Sequence, residues 1–245
     1  NYEKLFSRRS YAKMFSASLT YVLIVVPISV ALGLGSALLI SSLRIGNELY
    51  KAIFFLPVMA TLLAMAIVWE FALNPIMGVV NDILRSGCDK RLIYGFFTGA
   101  WYGADPLQSW YGAACADKFP IWLGDKRYAL GTIAFIGIWQ GFGFNMVLYL
   151  AGLTSVPREL YQAAHMDGAD SAWERFKLVT WPMLGPTHVF VITISSIRSF
   201  QVFDTVEALT EGGPSKSTYV MVYAMFEKGV RQNLLGIGSA ITIVF

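Results

Sequence analysis

Residues 14–43 read MFSASLTYVLIVVPISVALGLGSALLISSL, a run between Lys13 and Arg44 without one charged side chain. The hydrocarbon core of a bilayer is about 30 Å thick and an α-helix rises about 1.5 Å per residue, so a spanning helix needs about 20 such residues. Three further charge-free gaps lie between Lys51 and Glu70, between Arg127 and Arg158, and between Lys177 and Arg198, each dominated by Leu, Ile, Val, Ala, Phe and Met. Composition agrees. The chain is 14% charged and 56% hydrophobic with a mean hydropathy of +0.54, whereas a soluble domain is about a quarter charged. The pattern predicts an all-α, polytopic membrane protein, a single domain over residues 1–245 with four full-length spans. A fifth apolar stretch begins after Arg231 and is still running at Phe245, and the start has neither Met nor a signal-peptide pattern, so the chain is expected to be a fragment.

Small residues recur at four-residue spacing within the spans: Ala31 with Gly35, Gly33 with Ala37, Gly137 with Gly141. Such pairs let helix backbones approach closely in lipid. Pro27, Pro57 and Pro186 lie inside or beside apolar runs, where they would kink helices and free carbonyls for other partners. The net charge of +3 is scattered rather than gathered into a basic stripe, which argues against nucleic acid as a partner. Cys88, Cys115, His165 and His188 match no metal-ligand spacing, so no metal site is expected.

Residues 74–128 are too long for a turn and rich in aromatics, among them Tyr94, Phe96, Phe97, Trp101, Tyr102, Trp110, Tyr111, Phe119 and Trp122. They read either as an interfacial belt around a small local core or as a docking surface for an external partner. Both cysteines fall in this loop. In an oxidising compartment a Cys88–Cys115 bridge could stabilise it by about 3 kcal/mol; two free thiols are the alternative.

Between the third and fourth gaps lies SVPRELYQAAHMDGADSAWERFKLVTWP, residues 155–182. It reads as two short helices. Pro157 suits a first helical turn, Glu159 complements the positive helix N-terminus, and Gly168 can supply a left-handed stop. Asp170 is expected to cap the second helix, along which Trp173, Phe176 and Val179 recur at helical spacing. Ala163 and Ala164 would let another protein's surface approach closely, and Tyr161, Met166 and Trp173 would serve as anchors. Taken alone, this pattern is that of any amphipathic surface hairpin.

The same segment resembles the EAA loop of ABC importer permeases, on Glu159, Ala163, Ala164, Gly168 and Pro182, and the Asp167-Gly168-Ala169 triplet is similar to the sugar-type branch. Four further blocks in order carry the resemblance along nearly the whole chain: Phe54-Phe55-Leu56-Pro57; Asn74-Pro75 with Gly78 and Asn81; Trp139-Gln140-Gly141-Phe142-Gly143-Phe144-Asn145; and Ser199-Phe200-Gln201-Val202-Phe203-Asp204 with Gly212-Gly213-Pro214. Departures are Glu211 where a third glycine is usual, Trp181 for an aliphatic before Pro182, and the long aromatic loop. The resemblance implies a permease fold with a core of six spans, about five of them in this chain. Residues 74–128 would form an extracytoplasmic loop and 154–182 a cytoplasmic coupling loop, with Glu159, Ala163, Ala164, Asp167, Gly168 and Ala169 gripping an ATPase. It also implies a bacterial cytoplasmic (inner) membrane, nucleotide-binding ATPase subunits, a second and distinct permease chain and an extracytoplasmic solute-binding protein as partners. The substrate would be a sugar, polyol or glycerol-3-phosphate-like solute. The positive-inside count points the other way, with five lysines and arginines in 42–51 and 154–181 against four before Ser16, six in 74–128 and three after Thr205. The motif is given precedence.

No G-x-x-x-x-G-K-[ST] phosphate loop occurs, so no cofactor is expected on this chain; ATP and Mg would be bound by the partner. Nor is there a cluster of nucleophile, base or ligand residues that would suit an enzyme. An ion-coupled secondary transporter is the rival reading, but the first three gaps hold no carboxylate or histidine to carry the ion. Along the fourth gap Ser195, Arg198, Gln201 and Thr205 fall on one helical face about 120° wide. With Gln140 and Asn145 they are the candidate lining of a substrate pathway; the alternatives are bonding between helices, and for Arg198 snorkelling to the interface.

Overall fold

A computed structural model describes residues 9–43, 46–81, 83 and 120–245. The Cys88–Cys115 question and most of the aromatic loop lie outside the described residues, among which there is no strand.

Helix α1, Arg9–Ser42, contains the opening run. At about 1.5 Å per residue it reaches about 50 Å, enough to cross a bilayer at a tilt. Tyr21, Val25, Ser29, Gly33, Ala37 and Ile40 recur every three or four residues and are buried, whereas Leu19, Leu23, Leu32 and Leu39 on the other side are exposed. An apolar outer face suits lipid, where helices gain nothing from hiding leucine and pack through close-fitting small residues instead.

The buried face lies against α4, Ala129–Thr154. Gly33 makes the approach possible, because a Cβ there would stand 2.6 Å from the Asn145 Cβ. Gly137 is covered by the Tyr21 hydroxyl and Gly143 by the Phe54 carbonyl. Ala31 is exposed and Gly35 has open space around its Cβ position, so the first of the three small-residue pairs takes no part in packing among the described residues.

The second charge-free gap is not one straight span. It divides into α2, Asn47–Met59, and α3, Leu62–Ala72, bent by 97°. Pro57 has no N–H to offer the carbonyl one turn back, and Ala60 and Thr61 are extended (ψ 140° at each). Hydropathy reports the solvent and not the course of the backbone, which is why the gap reads as continuous. Helix α3 packs on α4 through Trp69, whose ring meets Phe135 at 5.7 Å and Trp139 at 5.5 Å.

After α4 the chain forms a hairpin of α5, Arg158–Met166, and α6, Ala172–Arg175. The second arm continues through a π-helical turn, Phe176–Thr180, into α7, Trp181–Met183, and then α8, Gly185–Phe200, so it is a long arm and not a short helix. A short α9, Asp204–Leu209, extends the last span. Met221–Phe226 (α10) runs through a second π-helical turn, Glu227–Arg231, toward α11, Leu235–Val244. Among the described residues, three helices are long and apolar enough to cross a membrane, Tyr11–Ser42, Ala129–Thr154 and Gly185–Leu209, or four with the bent pair.

Candidate functional site

The block Trp139–Asn145 acts residue by residue. Trp139 meets Trp69, Phe142 meets Phe54 at 5.8 Å, and Gly143 admits the α2 backbone. The alternate side of the helix turns Gln140, Gly141, Phe144 and Asn145 toward a cleft of about 520 Å³. Alpha1 contributes Tyr21, Val25 and Ser29 to its wall, and α8 with its extension contributes Ser195, Arg198, Ser199, Gln201, Asp204 and Thr205. All six pathway candidates read from the sequence, Gln140, Asn145, Ser195, Arg198, Gln201 and Thr205, therefore line one cavity.

Asn145 ties its floor together. Only 2% exposed, it donates from Nδ2 to Ser29 Oγ at 3.3 Å and accepts on Oδ1 from Ser195 Oγ at 3.0 Å, joining α1, α4 and α8. The Arg198 guanidinium stands 4.0 Å from the Phe144 ring centre, a cation–π contact that directs the charge into the cleft. The helix ends at Phe200, so Gln201 is its C-cap and Thr205 belongs to α9. The wall also includes Phe144, Ser199 and Asp204, which the sequence reading names as block members and not as pathway lining, and Ser29, which it does not single out. Ser29 lies in an apolar run, and its place in the four-residue series Tyr21, Val25, Ser29, Gly33 is the signal available in the sequence.

The hairpin is held by its own small core of Val156, Ala164, Ala169 and Val179, with Tyr161 against it. Alpha5 starts from Pro157 as N-cap, just outside the first turn. It ends as expected at Gly168, with φ +90°: the Gly168 N–H donates to His165 O at 3.1 Å and the Ala169 N–H to Ala164 O at 2.9 Å, which satisfies two carbonyls of the last turn. The second helix is capped by Ser171 rather than Asp170. Ser171 Oγ accepts from the Glu174 N–H and Glu174 accepts from the Ser171 N–H, both at 3.1 Å, a reciprocal box that Asp170 has no partner to form. Glu159, Ala163 and Asp167 are exposed, whereas Ala164 and Ala169 are turned inward, so of the Ala163–Ala164 pair expected to admit another surface only Ala163 lies open. Tyr161 likewise faces in and bonds Thr180 Oγ1 at 3.0 Å, while Met166 is 88% exposed and Trp173 69% exposed.

On the far side of the bundle the remaining blocks build tight turns. Asn74 Oδ1 accepts from the N–H groups of Ile76 and Met77, and buried Asn81 accepts from Trp122 Nε1 at 2.8 Å, pinning the two ends of the 74–128 segment together. Gly212 (φ +75°) lies under the rings of Tyr219 and Tyr223. Burial and the hydrogen bond to Glu227 hold the Tyr219 phenol above its ordinary range, so it stays a donor. Arg231 bridges Glu207 and Glu211.

Residues 5–245 match the family model described as a binding-protein-dependent transport system inner membrane component. The chain belongs to this family. Among relatives of this permease, the trehalose/maltose transport system permease protein MalF of Thermococcus litoralis is 30% identical over the whole of this chain and 72% of its own length. The sn-glycerol-3-phosphate transport system permease protein UgpA of Brucella abortus is 27% identical over the whole chain and 73% of its own. The probable ABC transporter permease protein YurN of Bacillus subtilis is 26% identical, with 75% of its length covered. The permease fold is shared with a crystal structure of a bacterial ABC transporter involved in import of the acidic polysaccharide alginate, at a TM-score of 0.78 and 20% identity, over 99% of this chain and 76% of that one. A second structure, of the alginate transporter in complex with its alginate pentasaccharide-bound periplasmic protein, matches at the same TM-score and identity, over 99% of this chain and 75% of that one. The protein is thus a multi-pass, inner-membrane permease subunit of an ABC importer, with a transport role in a binding-protein-dependent system.

Proposed function

We propose that this permease forms part of the translocation pathway for a sugar, a polyol or a related solute such as glycerol 3-phosphate, and that residues 158–182 couple the pathway to a separate ATPase. The observation that carries the first half is the convergence of Gln140, Asn145, Ser195, Arg198, Gln201 and Thr205 on one cleft. Amide, hydroxyl and guanidinium groups on a stiff, part-aromatic wall offer the hydrogen bonds a polyhydroxylated solute loses on leaving water. The named substrates of the relatives, trehalose and maltose, glycerol 3-phosphate and alginate, are of this kind.

The second half is supported by the hairpin's construction. Its independent core and Gly168 stop make a stiff projection with Glu159, Ala163 and Asp167 on the outside, while Ala164 and Ala169 keep the arms together. ATP and Mg belong to the partner chain, which would move the hairpin and through it the spans. The assembly includes two nucleotide-binding subunits, a second permease chain and an extracytoplasmic binding protein, with 74–128 outside and 154–182 in the cytoplasm of a bacterial cell.

The test is reconstitution of the full importer and a screen of sugars, polyols, glycerol 3-phosphate and acidic oligosaccharides for stimulated ATP hydrolysis and uptake. ATP-dependent uptake of a polyhydroxylated solute is expected. Uptake that follows a proton gradient without ATP would overturn the reading.

A further inference from the structure

Five aromatic rings connect the exposed tip of the hairpin to the interior of the bundle. Trp173 stacks on Phe176 at 5.4 Å with an interplanar angle of 22°, Phe176 meets Trp181 at 5.9 Å, and Trp181 meets His188 at 4.4 Å. His188 meets Tyr149 at 5.2 Å, and the Tyr149 hydroxyl is 2.9 Å from His188 Nδ1. Tyr149 is fully buried on α4, one helical turn from Asn145 in the floor of the cleft.

The π-helical turn makes this alignment possible. Eight residues of ideal α-helix rotate through about 800°, which would leave Trp181 about 80° away from Trp173 around the axis. Taking one residue into the wider turn reduces the rotation to about 700° and brings the two rings to within about 20° of one face. The bond that defines the turn is the Trp181 N–H donating to Phe176 O, between two members of the chain.

We propose that Trp173, Phe176, Trp181, His188 and Tyr149 form a positioning relay that carries displacement of the hairpin to α4 and the cleft. The proposal rests on the reading of the hairpin as the ATPase contact. Aromatic side chains have few rotatable bonds and each ring abuts the next, so a push at the tip is passed on rather than absorbed by rotamer changes. Lipid-interface anchoring accounts for the exposed edges of Trp173 and Trp181. It does not account for the π turn between them, or for a ring 4.4 Å from one that is hydrogen-bonded into the core.

The test uses the complete importer in lipid nanodiscs. A cysteine at Val202, in the cleft wall, is labelled with a charged maleimide with and without ATP plus vanadate, its labelling rate being read by peptide mass, and ATPase retention is measured by co-purification. Trp181→Leu, at an exposed position of the arm, and Phe176→Leu, at a half-buried one, are expected to keep the ATPase bound but to cut the ATP-dependent change in labelling at least threefold, while Trp181→Phe stays within twofold of the parent. A response in Trp181→Leu equal to the parent's overturns the relay. So does loss of the ATPase, which would make Trp181 a docking residue. The underlying reading fails separately, if Gly168→Pro keeps both the ATPase and the full labelling response.

Discussion

At the scale of single residues, Asn145 has the most to lose. Its amide is the common partner of Ser29 and Ser195 in a buried site. Ser29 has a second partner in Val26 O at 3.2 Å, so Asn145→Leu strands chiefly Ser195, at a cost of about 1–3 kcal/mol. The variant is expected to melt a few degrees lower in detergent and to lose most uptake; unchanged uptake would remove Asn145 from the pathway. Gly33 and Gly35 give a paired contrast. Gly33→Ala forces a Cβ to 2.6 Å from Asn145 between two backbones and should cost about 1–3 kcal/mol, whereas Gly35→Ala enters open space and should be neutral or stabilising by about 0.5–1 kcal/mol through helix propensity. Thermal unfolding of the two variants side by side distinguishes them. Spacing alone presented both glycines as packing residues, because a four-residue repeat cannot tell the face that meets a helix from the face that meets lipid.

At the scale of elements, the hairpin and the Gly212 turn show which local rules can be read ahead and which cannot. Gly168 was legible as a left-handed stop, since few residues other than glycine suit it. Gly168→Ala meets no neighbour, so its expected cost of about 1 kcal/mol is conformational, from φ +90° alone. Ser171 was harder to see, because Asp170 is an equally good cap in isolation and only Glu174 three residues on decides between them; Ser171→Ala should destabilise the arm by about 1 kcal/mol. Glu211 sits at φ +47°, where a glycine would be unstrained, and its pairing with Arg231 is a partly exposed contact at 3.6 Å. Backbone strain of about 1–2 kcal/mol exceeds an ion pair of about 0–1 kcal/mol, so Glu211→Gly is expected to raise the melting temperature slightly. The fourth charge gap is shared by the π-helical turn, α7 and α8, and those of α1 and α4 correspond to single continuous helices. The gap from Lys51 to Glu70 does not, because the break at Ala60–Thr61 changes backbone dihedrals without changing polarity.

At the scale of the whole molecule, an apolar outer surface, a polar cleft and a projecting hairpin belong to one arrangement. The exposed leucines of α1 suit a lipid surround, and the cleft is walled by α1, α4, α8 and its extension. Family membership and fold were accessible from ordered sequence blocks, and the six polar residues could be read as candidate lining of one pathway; what spacing could not supply is the cavity itself and the part Ser29 takes in it, since both depend on how α1, α4 and α8 pack. Sidedness was the point on which charge count and motif disagreed. Asp167, exposed at the hairpin tip, is the place for a reporter cysteine, while Ala169 is buried and would label poorly from either side. The most direct test of the account as a whole is binding-protein-stimulated ATP hydrolysis by the reconstituted importer, with the native chain and with Gly168→Pro. The account predicts stimulation at least tenfold smaller in the variant while the spans still insert and the second permease still assembles. Full stimulation in Gly168→Pro would contradict the claim that residues 158–182 join the pathway to its ATPase.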